Sequence, residues 1–425
     1  MNTQQVAQLL LALAAIAVLA RTLGTVARWL GQPTVVGELT AGILVGPTLL
    51  PRSVTSMLFP GTISVPLAAL ANVALVLFMF CVGLKLDHAL LRDKGRVAAS
   101  VSLGSIALPF GLGSLLALWL AGNHGVSERI PFIMFIGAAM SVTAFPVLAR
   151  ILTDRGLYRT RIGGLALACA AFDDVVAWLL LALVVALAGI SAGGQWMVLL
   201  AVPYALVMLL VVRPVLRRLL IVRGVPRALT SGVLAAVLVG LLVSSYTTER
   251  IGIHFIFGAF LFGAIVPREG FEELREAVTE RIEPVNGMFL LPVFFVISGM
   301  QVNLSTLDAR RVLELVLILV VAVTGKLGGA YASARLQGVD SRTSAALATL
   351  MNTRGLTEIV FLTVGLQHAI IDHELYSLMV VMALVTTAMT GPVMSRIYPR
   401  ELVERDEAEL HGARPSTVAT QSVLV

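Results

Sequence analysis

Charged residues are scarce in this chain. They make up 13% of its 425 residues, and hydrophobic residues make up 58%, whereas about a quarter of a soluble globular protein is charged because its surface must meet water. The composition therefore excludes a soluble globular protein and predicts that lipid is the main solvent. The two cysteines, Cys81 and Cys169, lie far apart inside apolar segments, so we expect both to be small core residues.

The sequence also lacks a basic patch with interleaved aromatic residues, which excludes nucleic-acid binding although the net charge is +6. The basic residues are instead spread over short loops, as in membrane proteins with basic cytoplasmic loops. No basic segment precedes the apolar run that begins at Val6, so no cleavable signal peptide is expected. We expect no cofactor.

Long apolar stretches are abundant. A stretch of roughly 17–25 residues crosses a bilayer as a helix, and the chain has about thirteen of them, which predicts an all-α polytopic membrane protein. Several contain Gly and Pro, which membrane helices tolerate when neighbouring helices satisfy the freed backbone groups. The predicted spans cover residues 6–23, 33–50, 63–84, 97–121, 130–149, 162–188, 196–216, 229–246, 251–267, 284–302, 312–334, 343–367 and 375–396.

The basic residues assign an orientation to these spans. If the N-terminus lies outside, only five of the 31 Lys and Arg residues fall in outer loops, and most of the others fall in inner segments. The positive-inside rule therefore predicts a cell-membrane protein with an outer N-terminus and a cytoplasmic C-terminus. Residues 1–397 then form the transmembrane domain, and the polar segment 398–425 is a short cytoplasmic tail that we expect to be disordered.

Several ionisable residues lie inside predicted spans, where charge is expensive and therefore indicates a functional role. Arg354 and Glu358 are four residues apart, hence on one helix face, and we expect them to neutralise each other. His254 is expected to be a satisfied interior histidine rather than a pH sensor. For Glu38, near the start of its span, gating, packing and ion contact all stay open. The full set is Glu38, Asp173, Asp174, His254, Lys326, Arg354 and Glu358.

Asp173 and Asp174 are the central candidates because they are adjacent in the middle of an otherwise apolar helix. Neighbouring helical residues point about 100° apart, so one carboxylate can face a cavity while the other faces a partner helix. Adjacent carboxylates titrate as one coupled unit, and a carboxylate binds either a proton or a hard monovalent cation. Mutually exclusive occupancy would exchange ion for proton. Alternatively, both acids only pair with basic residues to hold helices together.

Lys326 is the expected counter-charge of this acidic pair. It lies in the middle of its span among three glycines, which permit close approach of a neighbouring helix. We expect Lys326 to pair with Asp173, which leaves Asp174 as the main ion site. A desolvated lysine can also lose its proton, so Lys326 is either a structural partner or a second proton carrier.

Two spans contain interruptions that predict broken helices. In the fifth, Ser141 and Thr143 precede Pro146, which removes a backbone donor and clashes with the preceding turn. In the twelfth, the segment from Asn352 to Glu358 is polar and contains a glycine. Interrupted spans at matching positions indicate a binding site between inverted repeats. Spans 4–6 then correspond to spans 11–13 in the opposite orientation.

Six sequence strings occur in order from residue 37 to residue 360. They are GELTAGILVGP (37–47), SVTAFPVLARIL (141–152), AFDDVVAWLLLAL (171–183), FIFGAFLFGAIVP (255–267), LPVFFVISGM (291–300) and MNTRGLTEIV (351–360). Together they resemble the monovalent cation:proton antiporter-2 family, which includes bacterial sodium or potassium/proton antiporters and plant cation/H+ exchangers. The resemblance covers most of the chain, from about residue 6 to residue 397.

The resemblance implies a homodimeric thirteen-helix antiporter with a dimerisation domain and a mobile, elevator-like core domain, in which the broken fifth and twelfth spans cross. It also implies that Asp174 is the ion and proton carboxylate, with Asp173 as its partner, Thr143 lining the crossing point and Lys326 as counter-charge. Arg354 stands where some relatives have lysine, which keeps the charge but changes the geometry. Many relatives carry a nucleotide-binding domain after the last span, and gating by such a domain is not expected here.

The sequence therefore predicts a secondary antiporter, not an enzyme, that exchanges Na+ or K+ for protons. A symporter or exporter of an organic ion on the same fold is an alternative, because one fold can host unrelated substrates. An intramembrane aspartyl protease is a remote alternative, because it needs two acids on separate helices that face each other, whereas Asp173 and Asp174 are consecutive.

Overall fold

The computed structural model describes residues 2–48, 52–85, 95–126, 128–158, 160–188, 200–222, 231–251, 254–267, 271–305, 307–399 and 402. Within these residues every regular element is helical. Most of the predicted tail 398–425 and the first residues of the predicted span 196–216 lie outside the described residues. So do many of the loop arginines on which the predicted orientation depends.

The described residues contain eighteen α-helices. A π-helical turn, Met208–Val212, joins the helices Ala201–Val207 and Arg213–Val222. A second, Asn286–Leu290, joins the helices Glu272–Val285 and Leu291–Met300. The helices are α1 (Thr3–Trp29), α2 (Thr34–Val45), α3 (Arg52–Leu58), α4 (Ser64–Lys85), α5 (Gly95–Leu120), α6 (Arg129–Ser141), α7 (Phe145–Asp154), α8 (Arg161–Leu187), α9 (Ala201–Val207), α10 (Arg213–Val222), α11 (Ser231–Arg250), α12 (Phe255–Ile265), α13 (Glu272–Val285), α14 (Leu291–Met300), α15 (Ala309–Leu336), α16 (Ser341–Met351), α17 (Leu356–Gln367) and α18 (His373–Ile397).

Nine helical segments of the described residues are long and apolar enough to cross a membrane, and the shorter apolar helices α2, α12 and α17 accompany them. The predicted all-α polytopic fold is therefore confirmed. A straight, bent or broken helix also lies at each of the thirteen predicted spans. The number of membrane crossings stays a prediction, because the nine segments are identified by their length and composition alone.

The helices pack in two groups. In one group, α5 packs along α15 and α6, and α8 contacts α6, α7 and α16. In the other group, α4 packs along α12 and α14, and α2 packs along α1 and α14. The first group contains two runs of the same composition, α5–α8 and α15–α18. Each run is a long helix, a broken helix and another long helix, which matches the predicted correspondence of spans 4–6 with spans 11–13.

The fifth predicted span is broken in the turn that precedes Pro146. Helix α6 ends at Ser141, Val142 and Ala144 have extended backbone, and α7 begins at Phe145. Pro146 lies in the first turn of α7, where a backbone N–H would have no partner within the helix. The chain therefore unwinds in the turn before the proline, where the sequence predicts a clash, and Pro146 lies at the start of the second half-helix.

Glycines bring α5 and α15 into close contact beside Lys326. A Cβ atom on Gly329 would lie 2.1 Å from the carbonyl oxygen of Gly104, and one on Gly325 would lie 2.9 Å from Cα of Pro109. A Cβ on Gly328 would meet only a side-chain methyl group at 3.4 Å, an ordinary contact. Two of the three glycines next to the lysine therefore serve the helix contact that the sequence predicts.

Candidate ion-binding site

The two helix breaks meet each other in the protein interior. The backbone N–H of Ala144 donates to the carbonyl oxygen of Thr353 at 3.0 Å, and the hydroxyl oxygen of Thr143 lies 3.1 Å from the carbonyl oxygen of Met351. The first contact satisfies two backbone groups that the breaks release. The fifth and twelfth spans therefore contact each other at their unwound segments.

The C-terminal end of half-helix α6 contacts two cationic side chains. Its last carbonyl oxygens have no partner within the helix, and the guanidinium of Arg354 donates to those of Ala139 (2.9 Å) and Met140 (2.5 Å). The ammonium of Lys326 donates to that of Ser141 at 2.5 Å. Because the C-terminal end of a helix carries partial negative charge, both cations are stabilised there as well as by carboxylates.

Asp173 is the anionic partner of Lys326. Its Oδ2 atom accepts hydrogen bonds from Lys326 Nζ at 3.0 Å, Thr143 Oγ1 at 2.7 Å and Ser105 Oγ at 2.9 Å. Asp173 is 1% exposed and Lys326 is fully buried. The predicted contact between the two residues is therefore present. Ser105 was not predicted, because a single serine in an apolar span gives no sign of which helix it contacts.

Asp174 has a different environment. It is 4% exposed, and the side chain of Thr357 and the backbone N–H of Phe145 are the uncharged polar groups that act on its carboxylate. Phe145 and Thr357 lie in the first turns of α7 and α17, so the positive ends of two half-helices face this carboxylate. The sequence predicts neither neighbour individually, although the two breaks indicate that helix N-termini exist there.

Arg354 and Glu358 form the second buried ion pair of this region. The guanidinium lies 2.9 Å from Glu358 Oε1, and both side chains are fully buried. The backbone N–H of Arg354 donates to the hydroxyl of Thr387, which in turn donates to the Arg354 carbonyl oxygen. The predicted contact between the two residues is therefore present, and Arg354 also holds the end of α6.

Five buried side-chain oxygens around the breaks make no hydrogen bond in the described residues. A buried oxygen without a partner costs about 1–3 kcal/mol of desolvation, and carboxylate, amide and hydroxyl oxygens are ligands for hard cations. The donor set therefore fits a monovalent cation as a transported substrate. The five atoms are Oδ1 of Asp173, Asp174 and Asn352, Oγ1 of Thr353 and Oε2 of Glu358.

Glu38 lies on α2, in the other helix group. It is half-buried, and the charges that act on it are those of Arg21 and Arg150. In the described residues no hydrogen bond or ion pair joins it to the acidic pair. Leu39, the next residue of α2, lines a groove that is also lined by Arg354 and Thr387. The groove brings α2 next to the broken helices, and a gating role for Glu38 stays a prediction.

His254 is an interior residue, as the sequence predicts, with 8% of its surface exposed. Its ring lies 6.2 Å from that of His368, centroid to centroid. In the described residues its Nδ1 atom makes no hydrogen bond, so the expectation of a satisfied histidine is wrong for that atom. The ring of Phe255 lies 4.2 Å from that of His254, centroid to centroid.

Comparisons with known proteins show the family of the chain and its fold. The sequence model for the family "Sodium/hydrogen exchanger, transmembrane" matches residues 14–398. The Na(+)/H(+) antiporter NhaS4 of Synechocystis is 39% identical over 390 residues, which cover 90% of this chain and 95% of that protein. Cation/H(+) antiporter 20 of Arabidopsis thaliana is 36% identical over 97% of this chain. The match covers 51% of that protein, so the chain spans about half the length of this plant relative.

The fold also matches a solved structure. The sodium proton antiporter MjNhaP1 from Methanocaldococcus jannaschii superposes with a TM-score of 0.66 at 14% identity, over 94% of this chain and 99% of that one. The likeness at this identity shows a shared fold, and the family match extends over most of the chain. This chain belongs to the sodium/hydrogen exchanger family of transmembrane proteins.

Proposed function

We propose that the chain is a secondary active antiporter that exchanges a monovalent cation, Na+ or K+, for protons, and that Asp174 binds the cation and the proton in turn. The observation that carries the proposal is the asymmetry of the acidic pair. Oδ2 of Asp173 is held by three donors, including Lys326. Among the described residues, Asp174 has no ion-pair partner, and it faces two helix N-termini. Relatives named as Na(+)/H(+) and cation/H(+) antiporters support this reading.

Each residue of the site has a part in this exchange. The carboxylate of Asp174 releases its proton on one side and takes the cation in its place, and it returns protonated after the cation has left on the other side. Asp173 and Lys326 remain paired throughout, Thr143 lines the crossing point, and Arg354 with Glu358 holds the end of α6 in place. The break segments supply the remaining polar groups, those of Ser141 and Asn352, and Pro146 lies at the start of the second half-helix.

The two helix groups correspond to the two domains of the proposed antiporter. The group with α5–α8 and α15–α18 is the mobile core domain, and the group with α1–α4 and α11–α14 is the dimerisation domain. The protein is a homodimer in the cell membrane, with its N-terminus outside and its C-terminus in the cytoplasm. Alternating access follows when the core domain carries Asp174 from one side of the membrane to the other.

Purified protein in lipid vesicles tests the proposal. Vesicles with an acidic lumen and a pH-sensitive dye should lose their pH gradient when Na+ or K+ is added outside. Asp174→Asn should give no response, and Glu283→Gln, which changes an exposed acid of α13, serves as the matched control. The proposal is wrong if Na+, K+, Li+ and Rb+ all leave the gradient unchanged in folded protein. The same assay at two membrane potentials reports the charge moved per cycle.

The alternative functions receive less support. The two acids lie on consecutive positions of α8 and one is engaged by Lys326 at 3.0 Å, so they cannot face each other across a peptide bond as in an aspartyl protease. A transporter of an organic ion on the same fold would show the opposite result in the vesicle assay, with no response to any inorganic cation.

A further inference from the structure

A second ionic cluster lies away from the acidic pair, where the connection after α5 meets the first turns of α15 and α18. His124 lies in that connection, and Glu314 belongs to α15. Asp372 is the N-cap of α18, and Glu374 is in its first turn. The side chains of His124 and Glu314 are only 4% and 2% exposed. The proposed transport cycle uses none of these four residues.

The cluster has the geometry of metal ligands. Nδ1 of His124 lies 2.7 Å from Oδ2 of Asp372. One ligand atom from each of His124, Asp372 and Glu374 can be chosen so that all three lie within 4.8 Å of one another. Among the described residues, the other ring nitrogen, Nε2 of the buried His124, has no hydrogen-bond partner. It lies 3.3 Å from Oε2 of Glu314, whose other oxygen accepts a bond from Asn123.

We propose that His124, Asp372 and Glu374 form a binding site for a divalent transition metal ion such as Zn2+. Imidazole nitrogen and carboxylate oxygen are ordinary zinc ligands, and three protein ligands with a water molecule complete a tetrahedral site. A metal-bound histidine usually directs its second ring nitrogen to a carboxylate, which fixes the orientation of the ring. Glu314 lies at that place, so it is the positioning residue of the site.

The charges at the site favour a cation. The carboxylates of Asp372 and Glu314 lie 2.7 Å and 3.3 Å from the two ring nitrogens of His124, so they create a negative potential at the ring. A divalent ion bound to Nδ1 would lie within this potential.

Two arginines face the cluster from α15 and compete with the metal. Arg310 Nε lies 3.7 Å from Glu314 Oε1, and Arg311 pairs with Glu374. The side chain of Arg311 is 24% exposed, so Glu374 can exchange this partner for a metal ion at the surface. Metal binding would tie the connection after α5 to α15 and α18, which all belong to one helix group. We therefore expect metal binding to stabilise this helix group and not to block movement between the two helix groups.

The test uses the purified full chain in detergent, first treated with EDTA and then transferred to chelator-free buffer. Titration calorimetry with Zn2+ should give one ion per chain, and Zn2+ should raise the melting temperature. His124→Gln should abolish both effects. The matched control is His373→Gln, which removes the neighbouring exposed histidine and should leave binding unchanged. Glu314→Gln should weaken binding about 10- to 100-fold without changing the stoichiometry.

Asp372→Asn provides a second variant if His124→Gln does not fold, and each variant is first compared with the unmodified protein in EDTA. Unchanged affinity in folded His124→Gln or Asp372→Asn would overturn the site, as would the absence of binding to the unmodified chain. Equal loss in His373→Gln would also overturn it, by placing the ion elsewhere. None of these readouts involves transport, so they are independent of the proposed antiport.

Discussion

Asp173→Asn removes the negative charge against which Lys326 is buried, and we expect it to destabilise the protein strongly. Lys326 Nζ would keep the carbonyl oxygens of Ser105 at 3.0 Å and Ser141 at 2.5 Å, but it would lose the carboxylate at 3.0 Å. Removing one partner of a buried ion pair costs about 3–5 kcal/mol, because an uncompensated charge stays in the interior. The variant should therefore unfold at a clearly lower temperature.

The pair of Lys85 and Glu283 is a matched control on the surface. Its N–O distance of 2.6 Å is shorter than that of the buried pair, but the two side chains are 46% and 53% exposed. Exposed ion pairs contribute only about 0–1 kcal/mol. Glu283→Gln should therefore lower the melting temperature several-fold less than Asp173→Asn, although both changes replace a carboxylate by an amide.

Thermal unfolding of the purified variants in detergent provides the measurement, and a double variant sharpens it. Lys326→Gln added to Asp173→Asn removes the uncompensated charge, so the double variant should recover part of the lost stability. The reasoning is refuted if Asp173→Asn melts at the same temperature as Glu283→Gln. It is equally refuted if the double variant is no more stable than Asp173→Asn.

Three further changes have expected outcomes. Asp174→Asn should melt close to the unmodified protein, because Asp174 has no ion-pair partner to leave behind; a loss as large as that of Asp173→Asn would contradict the asymmetry of the pair. Gly329→Ala should cost about 1–3 kcal/mol by overpacking α5 against α15, while Gly328→Ala is tolerated, and equal melting temperatures would contradict the close contact. Asp340→Ala should cost about 1 kcal/mol by removing the N-cap of α16. Hydrogen bonds from Thr343 lower the pKa of Asp340. The contribution of this N-cap to stability is therefore present above the unfolded pKa of about 3.9 and is lost as the pH falls through the folded pKa. The melting curves of the unmodified protein and of Asp340→Ala should then converge in acid.

The ion pairs and the helix breaks could be predicted because their physical causes are visible in sequence. A charge inside an apolar span needs an opposite charge, and few are present, so Lys326 indicates Asp173 and Arg354 indicates Glu358 four residues later. Likewise, polar residues in the middle of an apolar span indicate that the backbone is not regular there. These inferences need no knowledge of which helices are neighbours.

The remaining contacts depend on the packing of helices that are far apart in sequence. Ser105 and Thr357 carry hydroxyls that also occur in ordinary apolar helices, so only the packing shows that one meets Asp173 and the other Asp174. The end of α6 is held by an arginine more than two hundred residues away. Glu314 lies close to the start of its predicted span, where an acid is expected to reach water, and its burial beside His124 is a result of tertiary structure.

The sequence leaves open whether Lys326 is a structural partner or a second proton carrier. The contacts of Lys326 help to distinguish these two roles. An ammonium group has three N–H donors, and the structure offers three acceptors: the carbonyl oxygens of Ser105 and Ser141 and the carboxylate of Asp173. A neutral amine would have only two donors, so one buried acceptor would lose its partner at a cost of about 1–3 kcal/mol. This geometry favours a lysine that keeps its proton. If it does so through the whole cycle, Asp174 alone exchanges its proton, one cation moves for each proton, and the vesicle assay should give the same rate at both membrane potentials.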